Sequence, residues 1–143
     1  EICLRINRGS GAIHYMTRDK KLLLAEREKE CRQIEDGSDG KVKSRLYLEW
    51  QKKEVLYAPG NGGNAGVTLR GEARYISHGN GKPAVVISEQ GYGMVLAADT
   101  AACCDIPAYG SYLYMENKGQ MDFYFVVGKG KKEVEEACRR LIR

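Results

Sequence analysis

Apolar and polar residues alternate along most of this chain. Ile2, Leu4 and Ile6 alternate with polar neighbours up to Asn7, the period of two that gives a β-strand one buried face. Gly9-Ser10-Gly11 supplies a turn and the apolar stretch Ile13 to Met16 follows, so this part reads as a hairpin. Lys21 to Glu26, with three leucines in a row, fits a short strand or the start of a helix through the charged residues Arg27 to Glu30; the strand is preferred. Glu35-Asp36-Gly37-Ser38-Asp39-Gly40 has the chemistry of a loop, because Asp, Ser and Gly satisfy turns locally.

The clearest alternation begins at Val42. Val42, Ser44, Leu46, Leu48 and Trp50 share one face and Lys41, Lys43, Arg45, Tyr47 and Glu49 the other, which predicts a strand between core and water. The glycine-rich stretch 60–66 and the segment 77–83 read as loops. Ala84 to Ser88 and Met94 to Ala98 are largely apolar and flank Gly91-Tyr92-Gly93, the pattern of two buried strands around a tight turn. Ala101 to Asp105, Ser111 to Glu116 and Gln120 to Val127 read as further strands, rich in Tyr, Phe and Val.

Helical spacing occurs only in the tail. Val134, Ala137, Cys138 and Leu141 form one stripe, with glutamates early and Arg139, Arg140 and Arg143 late, as the helix dipole favours. That stripe must be buried on the rest of the domain or on a further one; left exposed, it would make the chain self-associate. Many short strands closed by one helix predict a mainly β fold: an antiparallel β-sandwich over residues 1–127 and one C-terminal α-helix within 128–143.

At 143 residues the chain fits one domain with one core. No apolar run approaches the roughly 20 residues of a membrane-spanning helix. The net charge of +4 is spread out, not gathered into the basic patch that nucleic acid requires, so neither membrane nor nucleic acid is expected as a partner. Cys3, Cys31, Cys103, Cys104 and Cys138 form an odd set with no CxxC pair and no histidine at metal spacing. They read as reduced, packed thiols of a cytoplasmic protein, and no metal or other cofactor is called for. No signal-peptide pattern opens the sequence. The chain starts inside an alternating run and stops inside a helical one, so it is expected to be part of a longer polypeptide.

The segment Gly81-Lys82-Pro83-Ala84-Val85-Val86-Ile87-Ser88-Glu89-Gln90-Gly91-Tyr92-Gly93-Met94-Val95-Leu96 resembles a stretch of the N-terminal domain of family 31 glycoside hydrolases, where an apolar strand ending in Ser meets a Gly-Tyr-Gly turn. Gly110-Ser111-Tyr112-Leu113, the run Gln120 to Gly128 and the helix through Glu133-Val134 to Arg140-Leu141 are similar to the elements that precede the catalytic barrel in that family. Where the family has Tyr-Gly-Leu-Gly, this chain has Tyr57-Ala58-Pro59-Gly60, so that loop is expected to differ in shape. The similarity runs in order from Val42 onward. It implies a galactose-mutarotase-like β-sandwich ahead of a (β/α)8 barrel in the same polypeptide, within a retaining α-glycosidase of the α-glucosidase or α-xylosidase type. It further implies a non-catalytic part for this domain, which would support the barrel and lend a loop to the pocket for an α-linked carbohydrate.

Retention needs two carboxyl groups about 5 Å apart. The resemblance puts both on the barrel, so no catalytic residue is assigned here. Asp122 reads as the polar face of a strand. His14 and His78 lack a third partner marked by spacing for acid–base work on a sugar ring. Cys103 and Cys104 would point to opposite faces of a strand, which favours packing over a redox pair. The loop from Arg74 to Lys82 is the candidate substrate-binding segment: by resemblance it reaches over the barrel mouth, and His78, Asn80 and Lys82 would donate hydrogen bonds to sugar hydroxyls. A solvated hairpin connection is its alternative. Two other functions stay open, a stand-alone carbohydrate-binding module whose Tyr109, Tyr112 and Tyr114 stack on sugar rings, and an interaction domain without sugar contact.

Overall fold

A computed structural model of the chain describes residues 1–37, 39–59, 67–77 and 82–142. In these residues the period-two segments form two antiparallel sheets, and the tail forms a 12-residue helix. Among them no helix is long and apolar enough to cross a membrane.

The larger sheet has eight strands. β1 (Ile2–Ile6), β2 (Ile13–Thr17) and β3 (Leu22–Glu26) form a meander that joins β5 (Val42–Glu49). The order continues through β12 (Gly110–Asn117), β11 (Thr100–Ile106) and β8 (Ala73–Tyr75). β4 (Arg32–Asp36) pairs with the same edge of β5 as β3 does, because Glu26 faces Leu48 and Arg32 faces Leu46. β3 and β4 therefore act as one strand interrupted by the excursion 27–31. Tyr47 lies opposite that excursion: its carbonyl accepts from the Arg27 N–H at 2.9 Å, and its own N–H donates to the Cys31 carbonyl at 2.8 Å. The Arg27 side chain fastens the bulge by donating to the Lys29 and Glu30 carbonyls at 2.7 and 3.1 Å, with its guanidinium 3.9 Å from the Tyr47 ring centroid. Tyr47, expected to face water, is buried beneath it.

The strand reading of residues 22–26 holds, and the charged run after it is a bulge, not a helix. Glu35 and Asp36, expected in a loop, end the exposed strand β4 instead. Their charges sit on an edge, where carboxylates discourage further strand pairing. Arg74 and Tyr75, expected to open a loop, are strand residues.

The smaller sheet runs β13 (Phe123–Val127), β10 (Tyr92–Leu96), β9 (Ala84–Ser88), β6 (Leu56–Ala58), β7 (Val67–Thr68). Asp122 is exposed and stands just ahead of β13 rather than within it. β9 and β10 are buried on both faces, as their continuous apolar runs predict. Leu56, Val86 and Met94 face the larger sheet and meet Leu46, Leu113 and Met115 there. Each such side chain contributes about 1.5–3 kcal/mol through burial. Tyr57, Val85, Ile87 and Val95 face the other way, onto the helix α1 (Lys131–Ile142).

The helix thus lies on the sandwich itself. Val134 and Cys138 are buried there, while Leu141 is exposed, so the buried stripe is narrower than the spacing suggested. Exposed apolar side chains also occur on the edge strand β1, at Ile2, Leu4 and Ile6, and at Ile34 of β4.

Candidate functional site

The outer face of the larger sheet carries an open groove of about 400 Å³. Strand register accounts for it. Tyr75, Ala102, Tyr114, Arg45 and Gln33 stand opposite one another in a row across β8, β11, β12, β5 and β4. Ala73, Cys104, Tyr112 and Tyr47 form the next row. Opposed residues share a face, so the small side chains of Ala73, Ala102 and Cys104 make a floor between Tyr75 and the pair Tyr112 and Tyr114.

Arg45 stands beside that pair, its guanidinium 5.4 Å from the Tyr112 ring centroid and 5.7 Å from that of Tyr114, within cation–π reach of both. Tyr112 leans on Tyr47, with ring centroids 5.2 Å apart. Lys43 is flanked in the register by Glu35 and Glu116. Arg45, Lys43, Glu35 and Tyr114 also line an adjoining hollow of about 190 Å³, which extends the groove toward β4. Burial and the neighbouring Glu116 push the Tyr114 phenol up to about 12, so its hydroxyl stays protonated at neutral pH. Tyr112 is also raised, by burial first and then by Cys104, with Arg45 opposing.

Two glutamates are buried in the sandwich, and both tie strands together. Glu54 Oε2 accepts from the Ser88 hydroxyl at 2.7 Å and from the Tyr92 hydroxyl, while Oε1 accepts from the Gln51 N–H at 3.0 Å. Glu26 Oε2 accepts from the Tyr15 hydroxyl at 2.7 Å and from Arg32 at 2.9 Å. His14 pairs with Glu28 at 3.1 Å, and Glu28 also accepts from Asn7 and Ser10 at 2.9 and 3.1 Å, which pins the first hairpin's turn. Among the described residues no group of three or more His, Cys, Asp or Glu side chains is placed to hold a metal ion.

All five cysteines are free thiols. Cys103 joins the core and Cys104 lies beneath the groove, on opposite faces as the alternation requires. Of the predicted substrate-binding residues, His78 and Asn80 lie outside the described residues, and Lys82 is exposed just ahead of β9. Among the candidate stacking tyrosines, Tyr112 and Tyr114 line the groove, whereas Tyr109, 69% exposed in the turn between β11 and β12, does not. Sequence reasoning missed Arg45, Tyr75 and Ala102 as members of one site, since only the pairing of distant strands brings them together.

No family model matches the sequence, and no curated protein is a significant match. Solved structures do match. The glycoside hydrolase family 31 dextranase of Flavobacterium johnsoniae, solved with glucose and as a mutant with isomaltotriose, superposes on 98% of this chain with a TM-score of 0.70 at 17% identity. A family 31 α-xylosidase from a soil metagenome, solved with xylose, superposes on 90% of it with a TM-score of 0.67 at 18% identity. The chain spans 18% of the dextranase and 22% of the α-xylosidase. It therefore has the fold of a part of these enzymes.

Proposed function

We propose that this chain is an accessory, non-catalytic β-sandwich of a retaining α-glycoside hydrolase of family 31, lying on the N-terminal side of a catalytic (β/α)8 barrel in the same polypeptide. The observation that carries this reading is the superposition of nearly the whole chain on about a fifth of a dextranase chain. The chemistry of the described residues supports it. Glycoside cleavage with retention needs two carboxyl groups about 5 Å apart across one sugar, whereas Glu26 and Glu54 are sealed in the core by hydroxyl and guanidinium donors. The domain's part is to buttress the barrel and to lend the segment 78–82 to its pocket, where His78, Asn80 and Lys82 hydrogen-bond an α-linked glucoside or xyloside. Five free thiols favour a cytoplasmic setting.

The test uses the polypeptide extended through the barrel. His78→Ala combined with Asn80→Ala lowers kcat/KM for an α-glucoside or α-xyloside about tenfold or more, the effect of two lost hydrogen bonds. The 143-residue chain alone hydrolyses neither. Hydrolysis by the chain alone overturns the non-catalytic role, and an unchanged kcat/KM overturns the pocket role. A second reading, a stand-alone carbohydrate-binding module, draws on the groove lined by Tyr112, Tyr114 and Arg45.

A further inference from the structure

We propose that the groove on the outer face of the larger sheet binds an acidic sugar residue, with the sugar ring against Tyr114 and Tyr112 and its carboxylate on Arg45. The inference rests on the carbohydrate reading above and adds a ligand class and a second place of contact.

Of the two arginines that line the groove, Arg74 is paired with Glu72, whereas Arg45 shares a side-chain hydrogen bond with Tyr112 and has no carboxylate partner among the described residues. Its neighbours in the fold are committed: Arg32 to Glu26 at 2.9 Å, Arg70 to Asp105 at 2.8 Å, Arg74 to Glu72 at 2.6 Å, and Arg27 to two backbone carbonyls. Among the described residues no carboxylate lies within 4.0 Å of Arg45. Its neighbours across the strands are Gln33 and Tyr114, neither of them acidic. A half-buried guanidinium held beside two rings presents a planar fork of donors, the geometry that takes a carboxylate through two parallel hydrogen bonds.

The shape supplies the ring. Tyr75 and Tyr114 stand two strands apart, about 10 Å, with only Ala102 between them. That slot admits a pyranose ring with an apolar face on an aromatic wall. Glu35 and Glu116, on either side of Lys43, put negative charge at one end of the groove. They oppose a polyanion such as a polyphosphate or nucleic acid and leave room for a single carboxylate at Arg45.

Titrating the isotope-labelled chain with methyl galacturonide, which carries one carboxylate, with isomaltotriose and with sodium acetate tests this. Methyl galacturonide moves amide signals of β5, β8, β11 and β12, and its affinity falls as salt is added. Arg45→Gln and Tyr114→Ala each weaken it about tenfold or more, Arg45→Lys weakens it less than Arg45→Gln, and Lys132→Gln, on the exposed side of the helix α1 that packs on the smaller sheet, leaves it within about twofold. Unchanged far-ultraviolet circular dichroism shows that each variant is folded. Equal affinity for isomaltotriose overturns the acidic preference while leaving the carbohydrate reading intact. Acetate binding as tight as methyl galacturonide reduces the site to a small-anion site and overturns the ring contact. Absence of any shift overturns the proposal, whereas failure of the barrel-extended enzyme to act on α-glycosides sinks the accessory-domain reading and not this one.

Discussion

Gly93 lies directly beneath Cys138: a β-carbon on the glycine would stand 2.9 Å from the cysteine Sγ and 2.9 Å from Cγ1 of Val134. The helix rests on the smaller sheet through this missing side chain. Gly93→Ala is therefore expected to push α1 off β10 and cost about 1–3 kcal/mol, read as a lower urea midpoint. Adding Cys138→Ala, which removes the Sγ, recovers part of the loss, so the two substitutions are less than additive. A fully additive pair would show that the contact is not the cause.

Two buried thiols make the fold sensitive to alkali. Burial raises Cys138 to about 11, with Glu135 adding to the effect, and burial raises Cys103 to about 12, helped by Asp105. In the unfolded chain these thiols ionise near pH 8.5. Above that pH the unfolded state releases protons that the folded state keeps, so stability is full below it and declines as pH climbs toward 11. Urea midpoints between pH 7.5 and 10.5 should fall, and Cys138→Ala should make the fall shallower. An identical slope in the variant would remove the thiol from the account.

The elements most legible in the sequence were those whose pattern is local. Leu46 and Leu48 alternate with Arg45, Tyr47 and Glu49, Val86 and Met94 sit in largely apolar runs, and Val134 and Cys138 repeat at helical spacing; all six are buried where those periods require. Gly91 in the Gly-Tyr-Gly segment takes a φ of 104°, which explains one glycine, and the helix above Gly93 explains the other. Residues decided by distant partners were misread. Tyr47 lies on the outward face of a half-exposed strand yet is covered because Arg27 folds back over it, and Glu35 looks like loop chemistry until β5 supplies Lys43 as its partner. The groove was hidden for the same reason. Tyr114 meets Arg45 only through the pairing of β12 with β5, and no spacing within either segment announces that register.

Arg70 and Asp105 form a clasp between the edge of the sandwich and β11. Arg70 Nε donates to Asp105 at 2.8 Å and Nη1 to the Gln51 and Glu54 carbonyls, while the Gly71 N–H and the Ser111 hydroxyl also serve the carboxylate. Burial alone would raise Asp105, but these donors outweigh it and hold its carboxyl below the usual range. A lowered carboxyl stabilises the fold above its ordinary pKa near 3.9, and the contribution fades as pH falls below that. Arg70→Met is expected to cost about 2–3 kcal/mol at pH 7 and clearly less near pH 3. Equal losses at both pH values would show that packing and not charge is at stake.

The Glu26 carboxylate is fully buried and shares one oxygen between Tyr15 and Arg32, while Oε1 has no partner among the described residues. Among the described residues Arg32 is the cation paired with it, and that side chain is 36% exposed. A buried charge that loses its counter-ion costs more than the ion pair was worth, because the desolvation remains. Arg32→Met is thus expected to destabilise the chain by about 2–3 kcal/mol, reduced from the fully buried case by the solvent already reaching the guanidinium. Adding Glu26→Gln removes the stranded charge and keeps an acceptor for Tyr15, so the double variant should regain most of that loss at neutral pH. Urea melts of the two single variants and the pair form the cycle. Additive losses would mean that Arg32 acts through its packing beside Cys31 and not as the counter-ion of Glu26.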